Sequence, residues 1–347
     1  MESQGNCIWS FCFQVGQASV VRGLAYLEAT TLNVIAAIIL VLLTGTLFAG
    51  ERLWAAPSAE LLLRQGRVDE AGAVLNQESS DSNKHLLLCR VFYAQDMAEA
   101  AVRECEAAAA RDANNSDLQM WLGRAYGMEA MQANPLSAFA DARKVRTAFE
   151  RSVQLNPSNA AAMSALGQFY VQAPAIVGGG VDKAQALAPK LLVLSAAKGH
   201  RLLGLIAEKK NDVSHAETEY RSAVAAGGAP EAWIDLAYFY QRHGQTDKAA
   251  AALDSCIKAD QAKSAALVDA AAILTQMRRS PDLAERLLRE YLASGAKSED
   301  APAFKVHIQL GNLLDGRGDR AGARQEYAAA LALASKYVPA RKALAGM

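Results

Sequence analysis

The chain is short of several things. It has 5 cysteines in 347 residues, Cys7, Cys12, Cys89, Cys105 and Cys256, with no C-x-x-C pair. That excludes a disulfide-stapled framework and a Cys-based zinc module. Its 9 prolines are too few for a coil-rich chain, and aromatics are only 7%. Neither sign of charge is in excess, because 36 Lys plus Arg balance 36 Asp plus Glu. This excludes the basic footprint of a dedicated nucleic-acid binder, so no nucleic-acid partner is expected. Catalytic and cofactor signatures are missing too. No His-Glu-x-x-His exists, and no two of His85, His200, His215, His243 and His307 stand four apart, which leaves no zinc pattern. No Gly-x-Ser-x-Gly elbow occurs. Gly178-Gly179-Gly180 is followed by Val181-Asp182-Lys183-Ala184, not by the Gly-Lys-Ser/Thr that a phosphate loop needs. We therefore expect no cofactor, no metal and no intrinsic enzyme activity.

What is present is alanine. An Ala-rich chain that is 52% apolar and 21% charged is globular and leans to helix. Length alone suggests about two domains.

The N-terminal region is a separate object. Residues 32–49 read LNVIAAIILVLLTGTLFA, without a charge. Eighteen helical residues at about 1.5 Å each span about 27 Å, just enough for a bilayer core. Residues 1–50 are thus expected to hold a signal peptide or a transmembrane helix, and the chain to meet the membrane there. The region before the apolar run is about 30 residues long, with Arg22 its only basic residue, and fits a start codon placed too early. Arg52, Arg64 and Arg67 beyond the run oppose an outward body by the positive-inside rule. Signal-peptide logic favours it, and we expect the body to be membrane-anchored or secreted to the periplasm.

From residue 52 the chain repeats at a period near 34. Trp121-Leu122-Gly123-x-x-Tyr126 returns as Leu166-Gly167-x-x-Tyr170, Leu203-Gly204-x-x-Ala207, Leu236-Ala237-x-x-Tyr240 and Leu310-Gly311-x-x-Leu314. Second segments carry Ala216…Tyr220…Ala223, Ala249…Leu253…Cys256 and Ala323…Tyr327…Ala330, and Gly66, Gly244 and Gly318 fall between the two. Each repeat reads as a pair of helices. A small residue on the first helix admits a large one from the second, and each apolar stripe needs the next repeat to bury it. Glycine at the turn permits the left-handed cap that stops the first helix.

These residues resemble the tetratricopeptide repeat (TPR) family. The best unit is Trp233, Leu236, Ala237, Tyr240, Gly244, Ala249 and Leu253. The resemblance spans residues 52–347. It implies an all-α, right-handed solenoid of seven or eight units, starting near 52, 82, 116, 160, 197, 230, 264 and 304. A capping helix follows over Tyr337 to Leu344. One elongated array replaces the two domains of the length estimate. Two units depart from the pattern. The third has about ten extra residues around Met128 to Leu136. The fourth replaces its turn with Ala173 to Gly180, where a Pro and three Gly exclude continuous helix.

Cys89 and Cys105 fall on facing positions of one pair. Either they are two buried thiols, or they form a disulfide in an oxidising compartment. In a TPR array the first helices line the concave face. The exposed positions there are Arg124, Gln168, Arg201, Lys209, Tyr238, Arg242 and Asn312. Their cations and amides suit a protein partner with acidic peptide segments. The chaperone-binding carboxylate clamp of the family is not reproduced. The expected function is a non-enzymatic scaffold for protein–protein interaction at the cell envelope. The alternative is a periplasmic solute-binding accessory protein with a pocket near residues 174–180.

Overall fold

A computed structural model describes residues 57–347. The apolar span 32–49 and the expected anchor or signal peptide lie outside the described residues. Among those described, no helix is long and apolar enough to cross a membrane.

The repeat pattern becomes eight helix pairs and a final helix. The pairs are α1 (Ala59–Arg64) with α2 (Val68–Leu75), α3 (Ser82–Ala94) with α4 (Ala98–Arg111), α5 (Ser116–Gln132) with α6 (Pro135–Leu155), and α7 (Ala160–Gln172) with α8 (Val181–Leu194). The other four are α9 (Ala196–Lys209) with α10 (Val213–Ala225), α11 (Pro230–Arg242) with α12 (Thr246–Ala259), α13 (Ala265–Gln276) with α14 (Pro281–Ala293), and α15 (Ala303–Gly316) with α16 (Arg320–Leu333). The terminal helix α17 covers Val338–Ala345. Side-chain caps start many of them. Asp81, Asn159, Asp212 and Asp319 each accept the backbone N–H three residues on, satisfying an otherwise orphaned donor.

The small-against-large rule holds at contact distance. A Cβ on Gly123 would stand 2.5 Å from the Phe149 ring, and one on Gly311 2.4 Å from the Tyr327 ring. Only hydrogen at these positions lets α5 meet α6 and α15 meet α16 so closely. The turns need a left-handed residue. Gly66, Gly244 and Gly318 supply it with φ of +73°, +69° and +85°. Asp96, Asn211 and Arg278 fill the same place in three other units at φ of 59°, 61° and 54°, which the glycine pattern alone does not anticipate.

The third unit spends its extra residues on both helices. α5 runs to Gln132 and α6 starts at Pro135, giving 17 and 21 residues. The 173–180 segment of the fourth unit is ordered by packing. Ala175–Val177 form a short 3-10 turn, Val177 is buried, and Gly180 N–H donates to the Tyr170 carbonyl at 2.8 Å. A Cβ on Gly179 would lie 1.9 Å from the Ala173 carbonyl oxygen, so the turn requires glycine there. Cys89 and Cys105 are joined as a disulfide between α3 and α4, with Cα atoms 5.2 Å apart.

Successive first helices pack on one another from α1 through α13, whereas successive second helices do not pack to a comparable extent. The first helices therefore lie on the inside of the curve. The curve also closes. Buried side chains of α1–α3, such as Leu62, Leu75 and Leu87, belong to one apolar core with Phe304, Leu314 and Tyr337. The third and fourth units keep a separate core around Met163, Leu166 and Leu191. A linear array would place the first two units beside the third, not beside the eighth. Polar contacts complete the closure: Arg90 with Glu299, Lys305 Nζ to Asp96 Oδ1 at 2.6 Å, Tyr337 Oη to Asp96 Oδ2 at 3.1 Å, and Ser335 N–H to Asp69 Oδ2 at 2.7 Å.

Candidate functional site

The inner face is built at the register that follows the small residue of each first helix. That register gives Arg124, Gln168, Tyr238 and Asn312, and neighbouring turns of the same helices add Arg201, Lys209 and Arg242. Five of these seven meet in one open groove of about 1130 Å³. Its walls include Gln168 of α7, Arg201 and Lys209 of α9, Tyr238 and Arg242 of α11, and Asp269 of α13.

The groove carries both signs of charge, which corrects the expectation of a mainly cationic surface for acidic segments. Arg201 is already engaged: its Nε donates to Asp235 Oδ1 at 2.9 Å and its Nη1 to Gln168 Oε1 at 3.3 Å. It thereby ties three successive first helices together. Arg242 is engaged as well, donating to Glu208 at 2.7 and 3.2 Å. Glu208 also accepts from Tyr220 Oη at 2.6 Å and bonds His243 at 3.2 Å. Burial opposes ionisation of Glu208, but these donors outweigh it and hold the carboxyl below the ordinary carboxylate range. Both guanidinium groups serve the scaffold first. Lys198 and Lys209 are exposed cations of the groove without an ion-pair partner among the described residues.

The carboxylates are what sequence reasoning missed. Glu231, Asp235 and Asp269 line the same groove. Asp269 is open to solvent, yet it stands inside the curve with protein around it. Burial first, then the nearby charges of Asp235, Asp300 and Glu231, push its carboxyl up to about 6. A signal was present, because Asp235 and Asp269 lie one repeat period apart on equivalent positions. A second missed signal is the constant spacing of His85–Glu104, His200–Glu219 and His307–Glu326. In each, a first-helix histidine bonds a second-helix glutamate at 2.7–2.8 Å. These histidines clamp helix pairs.

Arg124 leaves the charged groove. Its guanidinium lies 4.6 Å from the Trp121 ring centroid, and it lines a second hollow of about 1100 Å³. That hollow is walled by Met128, Met131, Phe139, Val145, Phe149, Phe169, Pro174 and Val177, from the long helices α5 and α6, α7 and the 173–180 turn. It is apolar but open, since Met131 is 88% and Phe139 45% exposed. It does not enclose a small solute, as the alternative reading requires. Gln168 and Gln172 line both hollows and join them. Asn312 is not part of either. It accepts from Tyr327 Oη at 2.8 Å and borders a separate hollow with Leu274 and Arg278. Among the described residues, no group of three His, Cys, Asp or Glu is placed to hold a metal ion.

The tetratricopeptide repeat family profile matches residues 230–263, the pair α11–α12. No curated protein matches the chain. Among solved structures, the chain is similar to the APC/C hetero-tetramer Cut9–Hcn1. The identity is 13%, over 82% of this chain and 53% of that one, with a TM-score of 0.39. It is similar to yeast Tom70 with 17% identity over 78% and 64% of the two chains and a TM-score of 0.45. It is also similar to a thermophilic TPR protein of Thermus thermophilus. There the identity is 20%, over 61% and 99%, with a TM-score of 0.40. The match thus spans 53% of Cut9–Hcn1 and 64% of Tom70.

Proposed function

We propose that this chain is a non-enzymatic TPR scaffold that binds protein partners on the inner face of its closed array, at the cell envelope. The observation that carries the reading is the open groove contributed by consecutive first helices, α7, α9, α11 and α13. Such a surface is preformed by stacking and loses little entropy when it is occupied. The apolar run at 32–49 supports an anchor or export signal for the body. The buried Cys89–Cys105 disulfide supports an oxidising, extracytoplasmic location, because such bonds are rare in the reducing cytosol.

Site-specific photo-crosslinking tests the reading. A photoreactive analogue is placed at Tyr238 on the inner face, or at Asp254 on α12, and irradiated in native membranes. Discrete protein adducts are expected from position 238 and not from position 254. Adducts from position 254 alone contradict the reading.

A further inference from the structure

The inner face holds two unmet demands. The first, on α11 and α13 and apart from the unpaired Lys198 and Lys209 of α9, is for positive charge. Asp269 and Glu231 have no hydrogen-bond or ion-pair partner among the described residues, and Asp235 has only Arg201. The second is for apolar cover. Met131 and Phe139 stand exposed over Phe149, Phe169 and Val177. The two hollows meet at Gln168 and Gln172, whose side-chain amides suit the backbone of a chain lying across them. Burial first, and then the charges of Asp235, Asp300 and Glu231, raise the Asp269 carboxyl, so a cation placed beside it meets carboxylates on two helices.

Resting on the inner-face reading above, we propose that the groove recognises an extended protein segment with two anchors. A Lys or Arg seats among Glu231, Asp235 and Asp269, and a large apolar side chain fills the hollow beneath Met131 and Phe139. Their spacing follows from the fold. Packed helices stand about 8–10 Å apart. From α7 to α11 is two such steps and to α13 three, so the anchors lie about 16–30 Å apart. An extended chain rises about 3.3 Å per residue, which puts the cation about five to nine residues from the apolar side chain. Lys198 and Lys209 on α9 face the stretch between and disfavour further cations there.

The test uses the 347-residue chain in detergent micelles and three labelled synthetic peptides, read by fluorescence anisotropy. One carries Arg and Phe at this spacing, one Asp and Phe, one Arg and Ser. The Arg/Phe peptide is expected to bind at least about tenfold tighter than either of the others, and more weakly as salt rises. Asp269→Lys is expected to cost that peptide about tenfold, because a like charge then meets its anchor. Phe139→Asp is expected to weaken the Arg/Phe peptide and leave the Arg/Ser peptide unchanged. Both side chains are exposed, and circular dichroism confirms the fold of each variant. Preference for the Asp/Phe peptide overturns the proposal. So does binding indifferent to both substitutions, or a dimer that Phe139→Asp disperses. If no peptide binds while Tyr238 crosslinks persist, this proposal fails and the inner-face reading stands. If both are absent, both fail.

Discussion

The third and fourth units and the sixth and seventh units are made from the same helix pair, yet they present opposite inner surfaces. In the sixth and seventh, α11 to α14 keep regular lengths, and the inner faces of α11 and α13 carry Asp235, Tyr238 and Asp269 to a polar groove. In the third and fourth, the longer helices α5 and α6 and the glycine-rich turn line an apolar hollow, with Met131 and Phe139 exposed beside it. Regular repeats transmit what is written at one register. An insertion makes new surface that no register describes.

The largest expected effect breaks the irregular side. Gly179→Val drives a Cβ into the Ala173 carbonyl, where nothing flexible gives way. It is expected to lose about 3 kcal/mol or more in chemical denaturation and to open the apolar hollow. The regular counterpart is Gly244→Ala, whose added Cβ meets nothing within 4 Å but keeps φ at +69°. It is expected to cost only about 1 kcal/mol.

Next is the staple beside the third unit. The disulfide closes a loop of sequence separation 16. Replacing both partners, Cys89→Ser with Cys105→Ser, is expected to lower stability by about 3 kcal/mol by the same measurement.

A smaller effect sharpens the charged side. The folded-state carboxyl of Asp269 titrates near 6, above its ordinary value. Between the two values the folded chain binds more protons than the unfolded one, so this group lowers stability as pH rises through 6. Its ionisation is penalised above that pH and relieved below it. Asp269→Asn is therefore expected to raise Tm by about 2 °C at pH 7.5, with solvent screening keeping the gain small. The gain vanishes near pH 4. A gain that grew on acidification would contradict the assignment.

The smallest effect is on the rim of the apolar hollow. Met131→Ser removes an apolar side chain that is 88% exposed. It is expected to leave stability within about 0.5 kcal/mol.

Much of this was legible in the repeat. The helix pairs, the Gly66, Gly244 and Gly318 turns and the close packing at Gly123 follow from spacing and size. The inner positions of Gln168, Arg201, Lys209, Tyr238 and Arg242 were legible too. Their charge state was not, because Arg201 and Arg242 are satisfied by Asp235 and Glu208, 34 residues away in each case. Such a pairing depends on how neighbouring units stack. Closure was hidden for a related reason. Asp96 reads as an ordinary turn residue, and only curvature summed over eight units brings Lys305 and Tyr337 to its carboxylate. Asn312 follows the register but spends its carbonyl on Tyr327.

The central claim is that the array closes, so that its inner face is a bounded groove and not one side of an open ribbon. The direct measurement is the distance between spin labels at the exposed positions of Glu70 and Lys336, read by pulsed electron resonance on the full chain. Asp69 and Ser335 beside them are hydrogen-bonded at 2.7 Å in the closed form. A single, narrow, short distance is expected, broadened when Asp96→Gly removes the carboxylate that Lys305 and Tyr337 share. A broad, long distribution in the unmodified sequence would contradict the closed array and the groove with it.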